Sequence, residues 1–172
     1  VSTDLEKIAE IVHSYDIPLL VDEAHGGHLY FQKEGTATET LPRGAILQDA
    51  DMCAQSMHKV TGSLTQSSLL LTGKNVNWEY VSQIINLTQT TSASYLLMSS
   101  LDISRRNLAL RGEESFGKVI QMAEYARNEI NSIGGYYAYG KDLVNGTSVY
   151  DFDVTKLSVY TLGIGLAGIE VY

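Results

Sequence analysis

The sequence is poor in cysteine and in basic residues, and it lacks any long apolar run. A single cysteine, Cys53, excludes a disulfide scaffold and favours a reducing, cytoplasmic location. The 12 basic residues face 20 acidic ones, and the resulting net charge of −8 disfavours a nucleic acid as partner. No apolar run reaches the roughly 18 residues of a membrane helix, and no signal-peptide pattern is visible. We therefore expect no nucleic-acid and no membrane partner.

What is present is typical of a globular domain. Apolar residues make up 44% of the 172 residues and charged residues 19%, which is compatible with one packed core. The chain opens at Val1 on a helical pattern and stops at Tyr172 inside an apolar segment. From these two ends we expect a fragment of a longer protein.

Apolar periodicity predicts alternating helices and strands. This alternation indicates a three-layer α/β/α fold with a mainly parallel sheet. Residues 163–168 are predicted to form a turn or the start of a further helix. The other predicted elements are helices over about residues 4–14, 76–87, 94–111 and 113–133, strands over 18–22, 51–55, 67–72, 148–152 and 157–162, and a loop over 32–44.

Two polar segments each follow a predicted strand. The first is Val21-Asp-Glu-Ala-His-Gly-Gly-His28, and the second begins with Ser56-Met-His-Lys59 and continues to Thr65-Gln-Ser67. In an open α/β sheet the ligand crevice lies outside the carboxyl ends of the strands. We therefore expect Asp22 and Lys59 to face one pocket.

A lysine and a carboxylate in one pocket admit several chemistries, of which one suits the neighbouring residues well. Lys59 can form a Schiff base with an aldehyde cofactor such as pyridoxal phosphate. Asp22 can keep the ring nitrogen of that cofactor protonated. Ala24 is small enough to lie flat on the ring, and Ser56 and His58 can hydrogen-bond the phosphate.

The remaining polar residues receive structural interpretations. His25 is expected to line the pocket, and His28 to be structural or on the surface. No cysteine or carboxylate set completes a metal site with these histidines, so no metal is expected. Cys53 is predicted to be a small buried apolar residue.

Together, the two segments resemble the Orn/Lys/Arg decarboxylases, most closely the compact bacterial arginine/lysine branch. The segment from Ser56 to Ser68 is the specific part of this likeness, which continues through residues 90–95, Leu101 and Asp102. The resemblance implies a pyridoxal-phosphate enzyme of the aspartate-aminotransferase type, or fold-type I. It also implies decarboxylation of arginine, lysine or ornithine to the amine and carbon dioxide.

Residue roles follow from the same resemblance. Lys59 is implied to carry the cofactor and Asp22 to pair with the pyridine nitrogen. Thr91 and Ser92 are implied to reach the phosphate of a neighbouring subunit, and hence a homodimer or higher homo-oligomer is expected. The implied cofactor-binding set is Asp22, Ala24, His25, Ser56, His58, Lys59, Thr91 and Ser92.

The resemblance also implies where the chain falls in such an enzyme. Residues 1–172 correspond to the central and C-terminal part of the cofactor-binding large domain, and a following segment is expected to start at about residue 147. The N-terminal half of that domain and the C-terminal small domain are outside the sequence. We expect the 172 residues alone to be inactive.

Three other functions stay open at this point. Another fold-type I enzyme, an aminotransferase or a lyase, would share Asp22 and Lys59. The letters Asp-Glu-Ala-His at residues 22–25 also occur in a class of nucleic-acid helicases, but the phosphate-binding Gly-x-x-x-x-Gly-Lys-Ser/Thr loop is not in this sequence. A non-catalytic scaffold is the third possibility, and the combination of Asp22, His58 and Lys59 argues against it.

Overall fold

The computed structural model describes residues 1–89 and 91–172, which divide into two compact units. We call residues Leu5–Tyr30 and Arg43–Leu110 the sheet unit. We call Val1–Asp4, Phe31–Pro42 and Arg111–Tyr172 the tail unit. All of the predicted cofactor-binding residues lie in the sheet unit.

Five helices occur in the described part of the chain. The short helix over Met57–Val60 was not predicted, and the predicted helices begin and end close to the expected positions with one exception. Their bounds are α1 Leu5–His13, α2 Met57–Val60, α3 Trp78–Thr88, α4 Tyr95–Ile133 and α5 Gly168–Val171. The exception is α4, a continuous helix of 39 residues where two helices were predicted. The predicted break fell at Gly112, but one glycine costs a helix only about 1 kcal/mol and a long helix accommodates it.

The sheet unit contains a three-stranded sheet in the order β1 Leu20–Asp22, β2 Met52–Gln55 and β3 Leu69–Thr72. Strands β1 and β2 are parallel, whereas β2 and β3 are antiparallel. In the described residues the sheet is therefore mixed, with one parallel and one antiparallel pairing, and it does not confirm the expectation of a mainly parallel sheet. The segment between β2 and β3, residues 56–68, returns the chain at the same edge of the sheet, as an antiparallel pair requires, and does not cross to the opposite edge.

Small apolar residues form the core beneath this sheet. Ala45, Ala50 and Cys53 are buried, and Val21 and Tyr30 are among the residues that pack against them. Ala45 lies in a 3₁₀ helix, Ala45–Gln48, that covers the sheet. The small side chains of the core let this 3₁₀ helix pack closely on the strands. Cys53 is buried, as predicted for a small apolar residue.

Asp51 anchors the start of β2. One of its carboxylate oxygens, Oδ2, accepts hydrogen bonds from the Leu19 backbone N–H at 2.7 Å and from His13 Nε2 at 2.8 Å. Burial alone would raise the pKa of Asp51, but these hydrogen bonds, the attraction of His13 and a further backbone hydrogen bond together outweigh it and lower that pKa. The bonds tie α1 and the segment before β1 to β2, and they support the parallel register of the two strands.

The tail unit contains a two-stranded antiparallel sheet, β4 Tyr137–Ala138 with β5 Val159–Tyr160. The strand predicted over 148–152 forms only an isolated bridge between Ser2 and Asp151. A buried arginine of α4, Arg127, donates hydrogen bonds to three carbonyl oxygens of this unit. Charge-assisted hydrogen bonds of this kind hold short strands together where few apolar groups are available.

Candidate active site at the carboxyl edge of β1 and β2

Asp22 is the last residue of β1, and its side chain is exposed. The parallel register pairs Asp22 with Ala54 of β2, and the next backbone N–H, from Glu23, donates to the Ala54 carbonyl at 3.0 Å. Asp22 Oδ1 accepts the Ala24 backbone N–H at 3.0 Å. The carboxylate is therefore oriented by its own turn, and its second oxygen remains available to a ligand.

Lys59 lies just beyond the same edge of the sheet. Strand β2 ends at Gln55, Ser56 is the N-cap of α2, and Lys59 is the third residue of that helix. The Lys59 side chain is exposed, and within residues 1–89 and 91–172 its ammonium group has no hydrogen-bond or ion-pair partner. Because Asp22 pairs with Ala54, the segments of Asp22 and Lys59 leave the sheet side by side.

The segment between Lys59 and β3 fixes the histidine next to the lysine. His58 Nδ1 donates to the Ser67 carbonyl at 3.0 Å, and the hydroxyl groups of Ser63 and Ser67 lie 2.6 Å apart. This contact orients the ring and leaves Nε2 for another partner. The Ser56 side chain makes no capping hydrogen bond to α2, so its hydroxyl is also available to an anion.

Helix α4 anchors the turn that contains Lys59. The Thr61 hydroxyl donates to the Met57 carbonyl at 2.7 Å, and the Ser104 hydroxyl of α4 donates to the Thr61 carbonyl at 2.8 Å. Ser104 is buried. This chain of hydrogen bonds makes α2 a fixed support for Lys59, although α2 is too short to be stable alone.

Gly27 lets the loop after β1 pack directly on α2. A Cβ atom at this position would lie 2.8 Å from Met57 Sδ and 3.1 Å from Thr61 Cγ2. Both distances are shorter than ordinary van der Waals contacts. The glycine therefore allows a close contact between the segments that carry Asp22 and Lys59.

The family assignment follows from a comparison over most of the chain. A family model described as the Orn/Lys/Arg decarboxylase major domain matches residues 1–158. The chain belongs to the Orn/Lys/Arg decarboxylase family. This confirms the resemblance drawn from the two polar segments.

Two bacterial arginine decarboxylases illustrate how much of this family's length the chain covers. The enzyme of Halalkalibacterium halodurans is 44% identical over 171 residues, which are 99% of this chain and 34% of the relative. That of Bacillus subtilis is 40% identical over 172 residues, with coverages of 99% and 34%. The chain thus spans about a third of the length of these relatives.

A solved structure supports the α/β fold. A chain in the crystal structure of the SepCysS–SepCysE N-terminal domain complex superposes with a TM-score of 0.54 at 16% identity. The match covers 80% of this chain and 35% of that chain. The likeness concerns the fold alone.

The other predicted residues of this decarboxylase-family chain occupy different environments. His25 is exposed in the turn after Asp22, whereas His28 is buried, with 1% of its surface exposed. Thr91 and Ser92 are exposed in the bend before α4, and Thr90, which belongs to the same motif, lies outside the described residues. No cluster of three metal-ligating side chains occurs among the residues that the structure describes. The helices described there also include none that is long and apolar enough to cross a membrane.

Sequence reasoning missed Glu23. Its Oε1 accepts the Ala45 backbone N–H at 2.8 Å, and its Oε2 accepts Gln55 Nε2 at 2.7 Å and lies 3.5 Å from Cys53 Sγ. Burial, together with the nearby Glu23 charge, raises the pKa of the Cys53 thiol to about 11 and also raises the pKa of Tyr30. The pattern Asp-Glu gave no sign that the second carboxylate faces the interior, because its partners lie more than 20 residues away.

Proposed function

We propose that the protein carrying this chain decarboxylates a basic amino acid with pyridoxal phosphate, and that arginine is the preferred substrate. The products are the corresponding amine and carbon dioxide. The observation that carries the proposal is the pair of exposed groups at one sheet edge, the Asp22 carboxylate and the Lys59 ammonium. Neither has a side-chain partner among the described residues.

The chemistry of the donor set fits this cofactor. Lys59 offers a primary amine to the aldehyde, and Asp22 offers an anion to the ring nitrogen. Ala24 would contact a ring face, and His25 would line the same pocket. Ser56 and His58 would hydrogen-bond the phosphate through the hydroxyl and ring nitrogen that they leave unused within the chain.

Each residue then has a separate task. When bound, the cofactor supplies an electron sink for the electron pair that remains after carbon dioxide departs. Asp22 would hold a proton at the pyridine nitrogen, which makes that sink effective. Lys59 would bind the cofactor and, when the substrate amine takes its place, would be free to move a proton at the reacting carbon.

The finer features of the fold and assembly belong to the same proposal. Residues 1–172 would form part of a three-layer large domain with a mainly parallel sheet, and a following segment would begin at about residue 147. Thr91 and Ser92 would reach the phosphate held by a second subunit, so the enzyme would be a homodimer or a larger homo-oligomer. The single buried thiol, Cys53, supports a cytoplasmic location.

The choice of arginine rests on the relatives. The enzymes from H. halodurans and B. subtilis are both named arginine decarboxylase. Lysine and ornithine share the α-amino and α-carboxyl groups that this chemistry uses, so they are the competing substrates. An aminotransferase or lyase reaction is the main alternative, since it would use Asp22 and Lys59 in the same way.

The test is a chimera in which this sequence replaces the matched third of the B. subtilis relative. The chimera is given pyridoxal phosphate and then arginine, lysine or ornithine, and carbon dioxide and amine are measured. We expect both products, with the highest rate for arginine, and none from the same chimera with Lys59→Ala. Formation of a keto acid without carbon dioxide would show that the reaction is a transamination instead.

A further inference from the structure

Asp22 and Glu23 are adjacent in sequence but have opposite environments. Side chains of successive residues in an extended chain point to opposite faces. The Asp22 side chain is exposed at the sheet edge, whereas the Glu23 carboxylate lies against the buried residues Ala45 and Gln55, which are 0% and 3% exposed. The proposed chemistry uses only the first of these carboxylates.

Four hydrogen bonds with nitrogen donors fix Glu23, in addition to the longer contact of its Oε2 with Cys53 Sγ at 3.5 Å. Its backbone N–H donates to the Ala54 carbonyl at 3.0 Å, and its carbonyl accepts the Gly26 N–H at 2.9 Å. Its two carboxylate oxygens accept hydrogen bonds from the Ala45 N–H at 2.8 Å and Gln55 Nε2 at 2.7 Å. The residue thus joins β2, the 3₁₀ helix that begins at Ala45, and the turn that follows Asp22.

Gly26 shows how closely this turn packs on Glu23. A Cβ atom on Gly26 would collide with the Glu23 side chain. The turn from Asp22 to Gly26 therefore lies directly against the Glu23 side chain. The Asp22 carboxylate takes its orientation from the same turn, because its Oδ1 accepts the Ala24 N–H.

We propose that Glu23 is a positioning residue that holds the Asp22 carboxylate in place at the sheet edge. This inference rests on the proposed function of Asp22, because the exact position of the Asp22 carboxylate matters for the reaction only if that carboxylate pairs with the cofactor. Glu23 acts through the turn and makes no contact with substrate or cofactor. Its role is geometric: two acceptor oxygens at the correct distance, not the negative charge, keep the turn closed.

The geometric role predicts how two substitutions differ. Glu23→Gln keeps one acceptor for the Ala45 N–H, and its amide can pair with Gln55 if that amide turns over. Glu23→Ala removes both acceptors, leaves the Ala45 N–H and the Gln55 amide without these partners, and also removes the contact with Cys53 Sγ. Glutamine should therefore preserve the position of Asp22, and alanine should not.

The test is nuclear magnetic resonance on the full chain without cofactor. In the wild type, the Ala24 amide shift should follow the ionisation of the Asp22 carboxyl group, and Asp22→Asn should abolish this titration. In Glu23→Ala the Ala24 titration should be largely lost, and the Ala45 amide should exchange with solvent about tenfold faster. Glu23→Gln should restore both signals. Loss of global stability alone does not change the Ala24 titration of molecules that remain folded.

Controls keep the test decisive. Glu10→Gln, on α1 of the same unit and exposed, should leave the Ala24 titration and the Ala45 exchange unchanged. If Glu23→Ala does not fold, Glu23→Asp replaces it, because the shorter carboxylate cannot reach both donors and should weaken the Ala24 titration. If the Ala24 amide shift of folded Glu23→Ala changes with pH as fully as in the wild type, the positioning role is wrong. The same holds for Glu23→Asp when that variant replaces Glu23→Ala.

The outcome can be separated from that of the proposed function. Turnover of Asp22→Asn is measured in the chimera with the B. subtilis relative. If Asp22→Asn turns over normally while Glu23→Ala loses the Ala24 titration, the function assigned to Asp22 is wrong and Glu23 positions a carboxylate without that task. If Asp22→Asn is inactive while Glu23→Ala keeps the titration, the function stands and the positioning role is wrong.

Discussion

Asp22 and Lys59 are both exposed beyond the carboxyl ends of β1 and β2, and neither has a side-chain partner among the described residues. Glu6, for comparison, forms an ion pair with Arg43. In open α/β sheets, ligands bind in the crevice outside the carboxyl ends of the strands, which is where these two groups lie. At the residue scale, the proposed chemistry therefore depends on these two side chains.

Replacement of Asp22 by asparagine should lower turnover far more than it lowers stability. Asparagine keeps an oxygen for the Ala24 N–H but cannot hold a proton at the ring nitrogen. We expect the rate with arginine to fall by about a hundredfold or more in the chimera, as when a key electrostatic partner is lost. The melting temperature is measured on the same variant and should change little. An unchanged rate would contradict the role of Asp22.

The buried thiol gives a prediction about pH. Because the pKa of Cys53 is raised to about 11 in the folded chain, the folded state keeps the thiol proton where the unfolded state loses it. The free energy of unfolding should therefore fall as the pH rises above roughly 8.5, the ordinary value of a cysteine. Urea denaturation at a series of pH values measures this slope.

Cys53→Ala provides the control for that slope. The variant lacks the thiol but keeps Tyr30, whose pKa is also raised by burial. Its stability should therefore fall less steeply than that of the wild type between pH 8.5 and the pH at which tyrosine begins to ionise, roughly 10. Equal slopes for both proteins in this range would show that Cys53 ionises equally well in the folded and unfolded states.

At the scale of elements, the pairing of β1 with β2 brings the two polar segments to one edge. Each polar segment follows a short run of apolar residues, which is typical of a buried strand. These positions were sufficient to predict that the two segments lie at the same edge of the sheet. Strands β2 and β3 and helices α1 and α3 were predicted within two residues. The antiparallel direction of β3 was not predicted, because it depends on the path of the intervening segment. The local apolar pattern does not encode that path.

Close packing between elements could not be predicted from the sequence pattern either. The contact of Gly27 with Met57 joins residues that are 30 positions apart. Two consecutive glycines indicate only a flexible or tight turn. The same limit applies to the hydrogen bond from Ser104 to Thr61, which supports the turn of Lys59 from a distant helix.

Gly27→Ala should destabilise the chain. The added methyl group would lie 2.8 Å from Met57 Sδ and 3.1 Å from Thr61 Cγ2, so the buried Met57 side chain, α2 or the loop after β1 must move. We expect a loss of about 1–3 kcal/mol in the free energy of unfolding, measured by urea denaturation. Gly117→Ala is the matched control, because its Cβ would meet nothing within 4 Å inside α4. That control should gain up to about 1 kcal/mol from helix propensity. Equal effects of the two substitutions would contradict the close contact.

At the scale of the whole molecule, the chain spans about a third of the length of the arginine decarboxylases to which it is similar. The roles proposed for Thr91 and Ser92 require a second subunit. The chimera should therefore migrate as a dimer or larger species in analytical ultracentrifugation, at the concentrations at which it turns over arginine. A monomer with full turnover would contradict the shared site, while leaving the roles of Asp22 and Lys59 unaffected.

The attachment point of the cofactor tests the central claim most directly. The chimera is loaded with pyridoxal phosphate, reduced with sodium borohydride to make the carbon–nitrogen bond permanent, and digested for peptide mapping. We expect the reduced cofactor on the peptide that contains Lys59. Lys59→Ala should remove this label, and Lys74→Ala should keep it. Attachment of the cofactor to any other lysine, or to none, would contradict the account.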